Sequence, residues 1–468
     1  MRDRLIASLR AVLGAEAVLT KPAERAPYET DLLHTRTGRA LAVVRPRDTA
    51  GVVDTVRLCA MNGAPVVPQG GNTGFCAGAT PPEDGLAIVL STERLTRIRA
   101  IDSIGATLTA EAGVRLSNAQ AAAQRHGKLL ALSHGGLSST IGGNIATNAG
   151  GNNVLRYGMA RPQVLGLEVV LPDGRLWEGL SALRKDNAGT DLKQLFIGTE
   201  GTLGIVTAAC LALQPAPTQT VSALVAVPDP DAALSLITLV TAEMGQALSA
   251  AELIPRAGLD LHFRHRGHAR EPFDQPHYWQ VLLDLTAGSR FFDLAGGLES
   301  VLATALSTGT ALDAVISASE AQRQAFWVLR EGLAIAQVET PGNLKNDTSV
   351  PVAAIPRFIA AAEAAARAVV PDCVPIPFGH LGDGNIHFNL NPPDWSDPAA
   401  FIARWPELTA AIEGVAVALG GSIAAEHGLG RTKVDAARRL KPALDLELMA
   451  RVKQALDPEE TLNPGVML

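Results

Sequence analysis

The apolar positions of this chain change period again and again, and the changes mark its elements. Leu41-Ala-Val-Val-Arg-Pro46 is a short apolar run, residues 48–62 carry their apolar side chains at helical spacing, and Ala64-Pro-Val-Val67 is a second run. Strand, helix and strand are predicted in that order. The same logic gives a strand over 221–227, a helix over 231–244 and a strand-like stretch over 348–352. Further along, Val374-Pro-Ile-Pro-Phe378 and Ile386-His-Phe-Asn-Leu390 read as two strands joined by the turn Gly382-Asp-Gly384, a hairpin. Residues 1–10 have the pattern of a charged amphipathic helix, without the apolar core and cleavage site of a signal peptide.

Length and composition then limit the classes. A chain of 468 residues exceeds what one core fills, so at least two domains are expected. With 47% apolar and 19% charged residues and a net charge of -7, it has material for a core and no basic patch for nucleic acid. No stretch is long and uncharged enough to span a bilayer. Cys59, Cys76, Cys210 and Cys373 form no Cys-x-x-Cys pair, which argues against a zinc knuckle or a disulfide framework and for a reducing cytoplasm.

Chemistry concentrates near the C-terminus. Gly379-His-Leu-Gly-Asp-Gly-Asn-Ile-His-Phe-Asn389 and Ala425-Glu-His-Gly-Leu-Gly430 together offer His380, His387, Glu426 and His427. Two imidazoles and a carboxylate suit a divalent metal with open positions, and a second imidazole beside that carboxylate is free to move a proton. A hairpin makes His380 and His387 cross-strand neighbours and puts Asn389 on the face of His387, within reach of whatever the metal holds. The hairpin alone fits two backbone-bonded histidines equally well; the adjacent Glu426-His427 in a glycine-rich, apolar surround is what favours the metal.

Three glycine tracts come earlier. Pro68-Gln-Gly-Gly-Asn-Thr-Gly74 follows a strand and could turn successive backbone N–H groups onto a phosphate, although it has neither the Lys-Ser/Thr ending of a P-loop nor a Gly-x-Gly-x-x-Gly order. Ser133-His-Gly-Gly-Leu-Ser-Ser-Thr140 leads into Ile141-Gly-Gly-Asn-Ile-Ala-Thr-Asn-Ala-Gly-Gly151, bare backbone that suggests close approach of a polar ligand or else a set of tight turns. Ile197-Gly-Thr-Glu-Gly-Thr-Leu-Gly-Ile205 is the third, and three such loops imply one large cofactor. Gln214-Pro-Ala-Pro217 is a plausible domain boundary. Beyond it, Arg330 and Lys345 stand in apolar surroundings. A substrate carboxylate is one reason for such a pair, and surface pairing with Glu331 and Asp347 is the ordinary one.

Taken in order, these motifs, with Arg156-Tyr-Gly158 and Leu462-Asn-Pro-Gly465, resemble the FAD-linked D-2-hydroxyacid dehydrogenases. This is the branch of the vanillyl-alcohol oxidase type flavoproteins that includes D-2-hydroxyglutarate and D-lactate dehydrogenases, and the likeness covers nearly the whole chain. It implies an α+β fold: a vanillyl-alcohol oxidase type FAD-binding domain over 1–217, an antiparallel-sheet substrate domain over 218–424 and a C-terminal segment, 425–468, returning to the flavin. Gly70, Gly71, Asn72, Thr73 and Gly74, flanked by Pro68 and Gly78, match the loop that holds the FAD pyrophosphate. Asn72 stands where some relatives of the wider superfamily carry a flavin-bonded histidine, so non-covalent FAD is implied. Ser138, Thr140, Gly142, Gly143, Asn144, Ala146, Asn148, Gly150 and Gly151, followed by Tyr157 and Gly158, match the second cofactor tract. Glu200, Gly201, Gly204 and Ile205 match the third, and Asn463 a position close to the flavin.

For the reaction, the resemblance implies that His380, His387 and Glu426 bind a metal, usually zinc, and that Asn389 and His427 touch the substrate. His427 would take the hydroxyl proton while the α-hydrogen leaves as hydride to flavin N5, giving a 2-oxoacid from a D-2-hydroxyacid such as 2-hydroxyglutarate, malate or lactate. Arg330 and Lys345 match the cations that hold the substrate carboxylate in the D-2-hydroxyglutarate members. Two departures stand out: Ala334 replaces a hydroxyl side chain four residues after Arg330, and Val466-Met-Leu ends the chain where a lysine is common. The electron acceptor would be an electron-transfer flavoprotein, a quinone or a cytochrome rather than oxygen, and a homodimer is the default assembly. Two readings of other classes are a metal-dependent hydrolase, which leaves the glycine tracts without employment, and an FAD-binding subunit of a glycolate-oxidase-like complex.

Overall fold

The computed structural model describes residues 2–133, 138–267, 270–393 and 398–468, and the chain divides into two compact units. Residues 134–137 of the second glycine region lie outside the described residues. Among the described residues no helix is long and apolar enough to cross a membrane.

The first unit comprises Met1–Gly150, Gly158–Ala216 and Glu426–Leu468. The predicted strand, helix and strand near its start are Ala42–Val44, Thr49–Met61 and Val66–Gln69. The helix begins where it does because Asp48 caps it, its carboxylate accepting from Gly51 N at 2.9 Å. Ala42–Val44, Ile88–Ser91 and Val66–Gln69 run parallel, with Val18–Leu19 antiparallel at the edge. The unbroken apolar burial of residues 42–44 and 88–90 is what a sheet covered on both faces requires. A second, antiparallel sheet runs in the order Ile98–Asp102, Thr107–Glu111, Ile205–Ala212, Val164–Val170, Leu176–Gly179. The C-terminal residues close on the first sheet through Asn463, whose N–H donates to Val66 O at 2.8 Å.

The second unit comprises Gly151–Tyr157 and Pro217–Ala425. The short early segment belongs here for physical reasons: Arg156 Nη1 donates to Thr286 O at 2.7 Å, and Leu155 packs on the backbone of Gly382. The seven-stranded antiparallel sheet has the order Asp313–Ile316, Gln219–Val227, Trp279–Ala287, Leu248–Pro255, Val374–His380, Asn385–Asn391, Thr348–Ser349. Of the strand-like stretch 348–352 only the first two residues pair, because Pro351 has no N–H to give and a 3-10 turn, Val352–Ala354, follows.

Alternation along these strands sorts the side chains onto two faces. Val221, Ala223, Val225, Leu253, Leu283, Ile386 and Phe388 point into one core, covered by the helices Pro230–Met244, Leu294–Ser307, Ile355–Val369 and Trp405–Ala418. Leu224, Ile254, Leu282, Ile376 and Phe378 point the other way, into a smaller core under Arg256–His265 and Glu320–Val338. This second face also carries the polar row described next.

Candidate functional site

In the second unit the two histidines lie on one hairpin face, yet not directly opposite each other. The register sets Phe378 against His387, His380 against Asn385 and Ile376 against Asn389, so the histidines are diagonal neighbours with ring centroids 5.6 Å apart. The strand reaches two residues further than the sequence suggested, to His380, because the tight return is made by residues 381–384 with Gly384 at φ 89°.

Each imidazole has a buried carboxylate behind it. Glu252 lies opposite His380 on the adjoining strand, and its Oε1 is 2.8 Å from His380 Nδ1. Burial opposes ionisation of Glu252, but the guanidinium of Arg330 and the imidazole of His380 outweigh it and hold the carboxyl at about 2. A carboxylate so held only accepts, so Nδ1 of His380 is the nitrogen that donates to it. Asp347 Oδ1 lies 3.6 Å from His387 Nδ1, long for a hydrogen bond and close enough for charge to act; the same oxygen accepts from Asn385 Nδ2 at 3.0 Å. Asp383, in the turn, is pushed by burial up to about 6, with His380 acting against the rise.

The ordinary reading of Arg330 as a surface cation paired with Glu331 does not hold. Arg330 is buried, its Nε donates to Glu252 Oε2 at 2.7 Å, and its guanidinium lies 4.9 Å from the Phe378 ring centroid. Nor does Lys345 pair with Asp347. The residue is exposed, its ammonium donates to Asn343 Oδ1 at 3.2 Å, and desolvation by the surrounding protein lowers its pKa. Asn389 accepts from Asn346 N at 2.9 Å and donates to Gln337 Oε1, which among the described residues leaves one amide hydrogen uncommitted. Gln337 stands seven residues after Arg330 on the helix Glu320–Val338, on the same inward stripe, whereas Ala334 is exposed.

Glu252 and Gln337 were missed in the sequence. The available signal for Glu252 was a single acid in the middle of the apolar run Leu248-Ser-Ala-Ala-Glu-Leu-Ile-Pro255. A lone charge in a strand buried along its whole length needs partners.

The first unit builds a different kind of site. The amides of Gly71, Asn72, Thr73, Gly74 and Phe75 donate to no protein acceptor among the described residues. A side chain at Gly74 would meet nothing within 4 Å. Consecutive N–H groups left available beside open space fit a diphosphate. Asn72 adopts φ 52° and ties the loop to Thr30 O through its Nδ2 at 2.9 Å. Gly70 and Gly71 are small because Thr140 Oγ1 and Ser138 O lie where their β-carbons would go.

The second tract is less bare than its composition suggests. Residues 141–146 form a short helix capped by Thr140, with the N–H groups of Gly142, Asn144 and Ala149 bonded to Ala112 O, Thr140 O and Asn144 O. Gly142 is small because Ala112 packs on it. Asn148, at φ 50°, accepts from Arg161 N at 2.8 Å. In the third tract Gly201 abuts Pro68 and Gly204 abuts Val169 and Phe196.

Glu200 acts as a clasp. Its carboxylate accepts from Leu429 N at 2.8 Å and Gly430 N at 2.9 Å, and burial raises its pKa against the pull of those two amides and Arg431. Asn463 Nδ2 donates to Glu200 O at 2.7 Å and Gly78 O at 2.9 Å. The edge of the half-buried His427 ring packs on Phe75, centroids 4.7 Å apart, next to the loop of available amides.

Comparison with known proteins finds two families along the chain. Residues 40–179 match a family described as FAD binding domain, and 216–467 match one described as FAD linked oxidases, C-terminal domain. A protein of Xanthomonas citri pv. viticola named D-2-hydroxyglutarate dehydrogenase is 36% identical over 99% of this chain and 97% of its own. A mitochondrial protein of that name from Bos taurus is 36% identical over 100% of this chain and 83% of its own. Among solved structures, p-cresol methylhydroxylase with substrate bound superposes with a TM-score of 0.78 at 17% identity, covering 99% of this chain and 96% of that one. A 4-ethylphenol oxidase from Gulosibacter chungangensis gives 0.75 at 18%, over 99% and 96%. The fold is therefore the α+β, vanillyl-alcohol oxidase type.

Proposed function

We propose, because this chain belongs to the FAD-linked D-2-hydroxyacid dehydrogenase family, that it oxidises a D-2-hydroxyacid to the 2-oxoacid with FAD and a divalent metal. Substrates of the 2-hydroxyglutarate, malate or lactate type fit this reading, and the names of the relatives favour the first. The observation that carries it is the pair of imidazoles on one hairpin face, each with its Nδ1 turned to a buried carboxylate. Imidazoles backed in this way are ligands of the kind a first-row divalent cation takes.

His380, His387 and Glu426 are the proposed ligands, with zinc the first candidate. The bound metal and the flavin would supply, respectively, a lowered hydroxyl pKa and a two-electron acceptor. The side chains do the rest. His427 takes the hydroxyl proton on its imidazole, Asn389 offers its remaining amide hydrogen to the substrate, and Arg330 and Lys345 hold carboxylate. Both cations suit a dicarboxylate. At position 334 an alanine replaces a hydroxyl, but it lies on the exposed side of the helix, off the stripe of Arg330 and Gln337, so the missing group carries no weight against 2-hydroxyglutarate. The loop 71–75 would hold the pyrophosphate of a non-covalent FAD, with Asn72 unable to form the histidyl bond. Electrons would pass on to a flavoprotein, quinone or cytochrome.

The test is the anaerobic visible spectrum of the purified protein with D- and L-2-hydroxyglutarate, malate and lactate. Bleaching of a flavin band by D-acids alone is expected. A band that none of them bleaches would count against this substrate class, and no band after reconstitution with FAD would end the dehydrogenase reading.

A further inference from the structure

We propose that Glu252 is a positioning residue which holds the metal ligand His380 and the substrate-binding Arg330 in fixed relation through one buried carboxylate. The inference rests on the function proposed above and adds a residue to it. Glu252 is 1% exposed, and both of its oxygens are committed: Oε1 to His380 Nδ1 at 2.8 Å, Oε2 to Arg330 Nε at 2.7 Å. It reaches both because the sheet pairs it with His380 in register while the helix Glu320–Val338 lies over the same face.

The geometry dictates how each partner is turned. His380 is held through Nδ1, so Nε2 is the nitrogen that a metal would take. Arg330, donating from Nε and stacked on Phe378, keeps its two terminal nitrogens for a planar carboxylate. Stability alone is a poor reason for such a group, because buried ion pairs are often matched by apolar residues of the same volume. Orientation of two reacting-site groups is a sufficient one.

The test uses the FAD-loaded enzyme stripped of metal and titrated with zinc against a chromophoric chelator. Glu252→Gln is the first variant: its amide can accept from only one of the two donors and presents hydrogens to the other. Zinc affinity is expected to fall about 10- to 100-fold, as for other groups behind a metal-bound histidine, with FAD content unchanged and KM raised. Arg330→Gln should raise KM while zinc affinity stays close to wild type, since Glu252 still orients His380. Glu252→Gln/Arg330→Gln removes the uncompensated cation that could unfold the single variant, and it should keep the zinc defect. Zinc affinity equal to wild type in both Glu252 variants would overturn the inference and leave the proposed function standing. A wild-type protein that takes up no zinc, cobalt or manganese would overturn both.

Discussion

The loop of residues 71–75 in the first unit and the histidine hairpin in the second are sites of opposite construction. The loop offers five backbone amides and hardly any side-chain chemistry. The hairpin face offers His380, His387 and Asn389, each fixed from behind by another side chain. A site made of backbone is disturbed only by what intrudes on it. A site made of buried charged side chains is disturbed by removal of any member, because the partner's charge stays behind. Substitutions should therefore separate cofactor binding from chemistry.

The largest separation is expected at His427, the proposed base, which sits in the first unit beside Phe75. His427→Ala should lower the rate of flavin reduction by a D-2-hydroxyacid about 10²- to 10⁴-fold, the usual weight of a general base, with FAD content unchanged. Stopped-flow absorbance of the anaerobic enzyme measures it. A rate near wild type would remove His427 from the mechanism.

Next in size is the contrast between the two cations of the second unit. Arg330→Met leaves the carboxylate of Glu252 buried with one partner fewer, and breaking such a pair costs about 3–5 kcal/mol. Lys345→Met leaves no buried charge behind and should change stability by no more than about 0.5 kcal/mol. Both should raise KM. Denaturant unfolding alongside steady-state kinetics would show the split, and equal destabilisation by the two substitutions would contradict it.

A smaller effect isolates the backbone site. Gly74 has no positive φ and nothing within 4 Å of a built β-carbon, so a side chain can begin there without meeting the protein. If the loop cradles the diphosphate, Gly74→Val should weaken FAD binding by about tenfold or more, or 1.4 kcal/mol by the usual conversion. The melting temperature of the flavin-free protein should stay put. Unchanged FAD affinity would mean that the amides of this loop face something else.

The two sites were also unequally legible. The hairpin, the common face of His380, His387 and Asn389 and the strand–helix–strand before Gly70 all follow from local periodicity, and the structure has them. What periodicity lacks is strand order. Glu252 meets His380 only because the sheet places Leu248–Pro255 beside Val374–His380, 128 positions away in the chain, and nothing in either run announces the pairing. The same gap made Arg330 look like a surface partner of Glu331. In the first unit, composition misled in the other direction: the glycines of 141–151 read as bare backbone, whereas several of their amides are bonded within a short helix and Gly142 is small to admit Ala112.

The least effect, and the one most sensitive to sign, separates two buried acids, one in each unit. In the first unit Glu168 is opposed by burial but accepts from Arg99, Thr207 and Thr49, and the net result is a lowered pKa. Its stabilisation is present above its ordinary value of 4.5 and is lost as pH falls below it. In the second unit burial dominates at Asp284 despite Ser222, Arg323 and Trp327, and its pKa is raised above 3.8. Ionised Asp284 is therefore a cost that protonation relieves as pH falls. Between about pH 6 and pH 3.5, the stability gap between wild type and Glu168→Gln should narrow, while that between wild type and Asp284→Asn should shift in favour of wild type. Urea unfolding at several pH values reads both, and parallel trends would mean that one of the two acids has its balance of burial and partners the other way round.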